Sequence, residues 1–438
     1  MRRPRLVLPF CLFLLLQAIA LVQVGADDWP RWGGPRGNET WSGPELAEKW
    51  PEAGLELVFR QPIGGGYSGV AVSEGRVYLH DSLKEPTERE RLLCFDATTG
   101  EPVWTFEYAV TYGKLDYGSG PRATPTIHDG RVYTFGAVGH AYCLDAKTGA
   151  ELWKIDFVKE HEAVLPMWGF AAAPVIDGDR VLYHPGLKSG GCVVACDRAT
   201  GRLLWKGGDD PAGYAPPVFV DAPSGRLLVA WSPEHILGLS PANGELLWKV
   251  PYKVTYGVSI ATPLYRDGTL FVSGYWEGSK GIRLGTKPTD AELVWEDKRD
   301  LRGLMVQPIE RDGYVYTIDK QYGVTCFELA TGKKQWDDKN TLTARGRNPQ
   351  VTLTWLTGPG GQPDGRVISV NAEGEFLYSR FTPEKFEVVA RTKVIEPAEP
   401  TGVIWAHPAY AGDRLYVRSD KELVCRKLPV KSRSVAGE

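Results

Sequence analysis

The sequence predicts an all-β protein: an eight-bladed β-propeller of four-stranded antiparallel blades, closed by an N-terminal strand that completes the C-terminal blade. Three observations carry this expectation. An eleven-residue unit recurs with a period of roughly 40 to 50 residues, a spacing typical of solenoids and propellers. A Gly- or Asp-led strand rich in Val, Leu and Tyr recurs eight times, starting at Gly75, Gly130, Asp179, Gly225, Gly268, Gly313, Gly365 and Asp413. The last of these units ends at Leu428 with no returning strand, while the chain carries an unmatched strand near its start.

The unit is clearest over Cys143–Trp153, CLDAKTGAELW, with fuller or partial copies ending at Trp104, Trp205, Trp248 and Trp336. Strand residues alternate faces, so Cys143 and Asp145 share one side and Leu144 the other. Asp145 and Thr148 can bond nearby backbone groups in the turn, and Gly149 accepts the left-handed conformation that a Cβ resists. Trp153 then opens the returning strand, where an indole is large enough to bridge two sheets. The same docking roles are expected of Asp96, Gly100 and Trp104, of Asp197, Gly201 and Trp205, and of Trp248 and Trp336. A short apolar stretch such as ATPTIHD or ATPLYRD precedes each Gly-led strand and completes four strands per blade.

In chain order, residues 1–26 read as a cleaved secretory signal: Arg2, Arg3 and Arg5, an apolar run from Leu6 to Val22, and a small-residue ending at Ala26. No Cys stands at the new N-terminus to carry a lipid. Residues 27–50 are rich in Trp, Gly and Pro without a strand period, and read as an ordered strap across the propeller, since Trp rings are poorly accommodated by water. Leu55–Arg60 reads as the outermost strand of the last blade, pairing with Leu423–Leu428 so that neither sheet edge is left open. The propeller itself spans residues 51–428, and residues 429–438 form a polar tail expected to fray.

Composition narrows the functional classes. Without the three leader arginines the chain has 48 basic and 54 acidic residues, a net charge of −6, which disfavours a nucleic-acid partner. No apolar run beyond the leader is long enough to span a bilayer. The expected location is therefore outside the cytoplasm, periplasmic or secreted. Cys94, Cys143, Cys326 and Cys425 fall at equivalent places in different blades, too far apart to bridge, and Cys192 and Cys196 are separated by extended strand. The seven histidines are dispersed, so no metal site is expected.

The pattern Asp-x-x-Thr-Gly-x-x-x-Trp at Asp96, Asp145 and Asp197 resembles the tryptophan-docking motif of PQQ-type propeller repeats, over about residues 50–428. The position two before the Asp, usually Ala in that family, is mostly Cys here. The resemblance implies architecture more than activity. One branch, the quinoprotein alcohol dehydrogenases, implies pyrroloquinoline quinone held on calcium in the central channel. Those enzymes are longer and carry a vicinal Cys pair that this chain lacks, and none of their ligands maps to a numbered position here. The other branch, BamB-like, implies a binding subunit without chemistry. The WPRWGGPRG opening is similar to that of exported PQQ-repeat proteins. The resemblance therefore implies a non-catalytic binding or scaffolding protein, with a quinoprotein-like oxidoreductase as the alternative. Its partner is expected to be another exported or envelope protein, or a small planar or anionic ligand.

Residues just ahead of the innermost strands form the channel mouth of a propeller. The matching places are Tyr67, Tyr117, Arg122, Trp168, Tyr214, Tyr256, Arg302, Arg345, Arg347, Trp405 and His407. Guanidinium groups pair with carboxylates and rings stack, so such a mouth suits a planar anion, with Arg122 its expected anchor. The same rings could instead plug the channel. Carboxylates for calcium are scarce here, Asp116 and Glu162 being the nearest.

Overall fold

The structure, a computed structural model, describes residues 27–431 apart from 116, 117, 119, 304, 359 and 360. The expected leader, Asp116, Tyr117 and the tail beyond residue 431 lie outside the described residues. Among the described residues, eight sheets of four antiparallel strands, one of them with a further strand added in parallel, succeed one another in sequence order. Their innermost strands are Ala71–Ser73, Thr126–His128, Val175–Asp177, Val218–Ala222, Leu264–Arg266, Ile309–Arg311, Thr354–Thr357 and Ala409–Ala411, which number blades 1 to 8. The one α-helix among the described residues, Phe157–His161, is too short to cross a membrane.

Ring closure follows the expected scheme. Leu57–Pro62 runs antiparallel to Glu422–Lys427 as the outer strand of blade 8, with Phe59 opposite Cys425 and Arg60 opposite Val424. Blade 7 departs from four strands: Thr40–Trp41 pairs in parallel with Thr354–Thr357 and adds a fifth strand on its channel side. An inner edge elsewhere borders the channel, and here the strap covers it.

Each repeat turn is built around one carboxylate. Asp145 Oδ1 accepts from the backbone N–H of Lys147 and Thr148, at 3.0 and 2.7 Å, and from Thr148 Oγ1 at 2.8 Å. Those bonds hold its carboxyl below the ordinary range, as they do for Asp96 and Asp197. The turn then becomes a landing site for the preceding blade. Trp104 Nε1 donates to Ala146 O at 3.1 Å, and a Cβ on Gly149 would stand 2.7 Å from the Trp104 ring. Trp153 makes the corresponding bond to Arg198 O at 3.1 Å, lying over Gly201. The Arg that follows the lead Gly is a second clamp: Arg76 Nη1 donates to Ala146 O and Lys147 O at 2.9 and 2.8 Å. Blade 8 has no Trp in this place, and Phe59 from the N-terminal strand lies over Gly100 instead. The apolar cores accordingly sit in the seams between blades, as where Tyr133 and Trp153 meet Tyr183 and Cys196.

The strap residues enter the largest of these cores. Trp29, Trp41, Leu46 and Leu55 pack with Tyr410 and Phe376 among residues of blades 7, 8 and 1, and Trp41 is fully buried. Pro429–Lys431 does not hang free: Pro429 O accepts from Ala47 N at 2.6 Å and Lys431 N donates to Glu45 O at 2.8 Å. That start of the expected frayed tail is an ordered edge of the strap, because the strap offers it backbone partners.

The six described cysteines are buried thiols. Cys192 Sγ lies 3.1 Å from Nε2 of His184, which also accepts from Gly213 N–H at 3.1 Å, while Nδ1 is 3.1 Å from Ala215 O. The carbonyl fixes the proton on Nδ1, so the imidazole is neutral, and burial pushes its pKa down to about 4. The unfolded chain takes up this proton near pH 6.5. Stability present above that value is therefore lost as pH falls towards about 4. Between pH 7.5 and 5 this one group is expected to cost about 2 kcal/mol. His184→Gln, which cannot charge, is expected to flatten that part of the profile. Denaturant midpoints of both proteins at the two pH values check this, and parallel profiles would remove His184 from the account.

Candidate functional site

A cavity of about 190 Å³ occupies the channel, lined by residues just ahead of the inner strands: Tyr67, Arg122, Trp168, Tyr214, Trp405 and His407 among them. The phase of the repeat places them there, because the chain entering each inner strand passes the axis. The rings wall the cavity in pairs. Tyr67 stacks on Trp405 with centroids 5.8 Å apart, and Trp168 meets Tyr214 at 5.4 Å. Arg122 Cζ lies 5.4 Å from the Tyr67 ring centroid, and its Nη2 donates to Gly118 O at 2.9 Å and its Nη1 to Gly120 O. Part of the fork is thus engaged by its own loop, and burial lowers its pKa from the ordinary arginine value.

Other expected mouth residues do not reach the cavity. Tyr256, at φ +56° in the turn Thr255–Gly257, is turned out onto the rim, 64% exposed and edge-on to Trp276 at 5.5 Å. Arg302 points instead to Asp319, its Nε 3.2 Å from Oδ2, and closes a turn of blade 6. Arg345 and Arg347 are exposed and outside the lining, and Tyr117 lies outside the described residues. Conversely, Trp32, Trp276, Asn348 and Gln350 line the cavity without having been picked out among the mouth positions. Trp276 stands in the hairpin after Thr269–Gly274, a place where a lone Trp was the available signal.

One end of the channel is closed by the strap. Trp32 Nε1 donates to Thr262 Oγ1 at 3.0 Å, and its ring lies 3.9 Å from the His407 ring, centroid to centroid. Glu39, fully buried at φ +54°, follows in the same segment; its Oε2 accepts from Thr354 Oγ1 at 3.1 Å and its Oε1 lies 3.5 Å from His407 Nδ1. Behind the Arg122 loop, Glu90 is buried where it accepts from Tyr112 OH at 3.0 Å, from Tyr108 OH and from Ala137 N–H at 3.1 Å. Burial raises its pKa.

A family model described as outer membrane protein assembly factor BamB matches residues 88–338, more than half of the chain. The chain belongs to this family of PQQ-repeat propellers. It is 24% identical to the assembly factor BamB of Moranella endobia over 256 residues, 54% of this chain and 61% of that protein. It is 30% identical to the quinoprotein alcohol dehydrogenase PedH of Pseudomonas putida over 194 residues, 41% of this chain and 30% of that protein. The chain spans less than two thirds of the length of either relative. Among solved structures, quinohemoprotein alcohol dehydrogenase from Comamonas testosteroni superposes with a TM-score of 0.63 at 13% identity, covering 93% of this chain and 81% of that one. A europium-containing methanol dehydrogenase gives 0.63 at 14% identity, covering 90% of each chain. At these identities the likeness is one of fold.

A calcium-held quinone needs hard oxygen donors beside a flat slot. This PQQ-repeat propeller supplies the flat walls, but among the described residues the lining has no Asp or Glu side chain, and no cluster of His, Cys, Asp or Glu could hold a metal. Its donor set, an arginine with neutral amides and an imidazole, does not fit that group.

Proposed function

We propose that this protein is an exported, non-catalytic binding propeller whose ligand enters the open end of the channel. One observation carries the reading: an aromatic cavity in the channel, floored by the strap, whose described lining has no carboxylate to hold calcium or act as a base. The leader-like N-terminus supports export. A second reading, docking of another envelope protein on an outer face, is favoured by the family match. The quinoprotein-type oxidoreductase suggested by the names of several relatives is the competing function.

Loading with pyrroloquinoline quinone and calcium separates them. The purified chain is expected to emerge colourless from a desalting column and to reduce no dye when given ethanol or 1-butanol. Retention of about one quinone per chain, with alcohol-dependent dye reduction, would replace the binding reading by the enzymatic one.

A further inference from the structure

We propose that the rim of the open channel end binds an anionic polysaccharide, whose sugar rings lie against Tyr256 and Trp276 and whose carboxylates or sulfates meet Lys320, Arg345 and Arg347. The proposal goes beyond the channel reading: it rests on exposed groups and needs no ligand inside the cavity.

The antiparallel order of each blade brings these residues to one place. The segment entering an inner strand and the hairpin between the second and third strands lie at the same end of a blade. Tyr256 stands in the entry to blade 5, and Tyr275 and Trp276 in the second hairpin of that blade. Lys320 occupies the corresponding hairpin of blade 6, and Arg345 and Arg347 the entry to blade 7. Contacts link them in series. The Trp276 ring lies 5.5 Å from that of Tyr256 and 4.4 Å from that of Tyr275, centroid to centroid. Lys320 Nζ lies 4.3 Å from the Tyr275 ring centroid, and Tyr275 OH donates to Arg347 O at 2.8 Å.

The rings are open to a ligand, and one of them is held open at a cost to the backbone. Tyr256 is 64% exposed and Trp276 42%, and their planes are inclined at 66°, so the pair forms an accessible corner. Tyr256 takes a left-handed backbone, which in a residue with a bulky side chain is a strain the surroundings must impose. Both flanks of the turn are tied down. Glu277 Oε1 accepts from Thr255 N–H at 2.8 Å and from Thr255 Oγ1 at 2.5 Å, and Gly257 N–H donates to Val254 O at 3.0 Å. Large rings gain nothing from standing in water, so a strained turn that presents one marks a contact surface.

Charge selects the ligand. Among the described residues Lys320, Arg345 and Arg347 have no ion pair, whereas the acids beside them are engaged, Asp319 by Arg302 and Glu277 by Thr255. Burial, with the neighbouring Arg302, lowers the Lys320 pKa, so an anion beside it would relieve a cost. The basic arc is local. The segment entering blade 4 exposes Asp209 and that entering blade 8 exposes Glu396 and Glu399, so an anionic bilayer laid flat on this end would meet acids as well as cations. A chain-like ligand can follow the arc alone. An acidic peptide would find loops and hairpins at this end among the described residues, with no strand edge to extend. A pyranose ring offers a C–H face, whose partial positive hydrogens suit the negative faces of the two aromatic rings.

Titration calorimetry of the purified chain tests this with oligogalacturonate as the carboxylate glycan and heparin oligosaccharides as the sulfated one. Dextran oligosaccharides serve as the neutral control, and oligothymidylate and phosphatidylglycerol vesicles as the other polyanions. At least one anionic glycan is expected to bind, more tightly than dextran, with an affinity that falls as sodium chloride is raised. Trp276→Ala is expected to lose roughly tenfold or more. The double variant Arg345→Gln/Arg347→Gln is expected to lose roughly three- to tenfold and to flatten the salt dependence. Tyr256→Gly separates binding from folding, because glycine accepts the left-handed turn: its denaturant midpoint is expected to equal or exceed that of wild type while glycan affinity falls. No anionic glycan bound by wild type, dextran bound as well, or unchanged affinity in these variants would each overturn the proposal. So would oligothymidylate or vesicles bound as tightly as the glycans, which would leave a surface for polyanions in general.

Discussion

A variant lacking residues 27–62 is expected to lose cooperative unfolding and to aggregate. The deletion opens blade 8 by removing Leu57–Pro62 from Glu422–Lys427, and so exposes a row of unpaired backbone groups at a strand edge. It also strips the seam between blades 8 and 1 of Phe59, whose ring lies over Gly100, and the largest core of Trp29, Trp41, Leu46 and Leu55. Losing any one buried side chain of this size costs roughly 2–5 kcal/mol. Five together exceed the roughly 5–15 kcal/mol by which a domain is stable. Size-exclusion chromatography and denaturant unfolding provide the readout. A monomer with an unchanged transition would mean that the ring closes without its N-terminal strand.

The repeat made much of this molecule legible, and the limits of legibility lie where the chain leaves the repeat. Because blade phase follows from the spacing of Gly75, Gly130 and their counterparts, the number of blades and the pairing of Phe59 with the last blade could be read directly. The same phase located Tyr67, Arg122, Trp168, Tyr214, Trp405 and His407 at the channel. Phase locates a residue without aiming its side chain, however. Arg302 has Asp319 within reach and turns to it, and Tyr256 is carried outward by the left-handed backbone of its turn. The strap has no period at all. That Trp32 forms the floor, that Glu39 backs His407 and that Thr40–Trp41 adds to blade 7 are consequences of tertiary packing among blades far apart in sequence. Trp276 escaped because it sits in a hairpin, where the repeat predicts only a turn.

Trp153→Ala is expected to destabilise the protein by roughly 3–5 kcal/mol, the range for emptying a buried large aromatic site. Its ring is 7% exposed, lies 6.0 Å from the Tyr133 ring, and donates across the seam to Arg198 O at 3.1 Å, so one substitution removes core contacts and an inter-blade bond together. Trp205→Ala should cost less. That ring is only half-buried, and its indole N–H has no partner among the described residues. The landing site offers a sharper measurement. A Cβ on Gly201 would stand 2.9 Å from Trp153 Cδ2, and Gly201 has φ +76°, so Gly201→Ala carries both a steric cost and a conformational one. The conformational part, about 1–2 kcal/mol, persists whatever ring lies above it. The steric part needs the indole. In the double variant Trp153→Ala/Gly201→Ala it disappears, so the combined loss is expected to fall short of the sum of the two single losses. Additive losses would mean that the indole and the glycine do not touch, and that the blades are held together by something other than this stack.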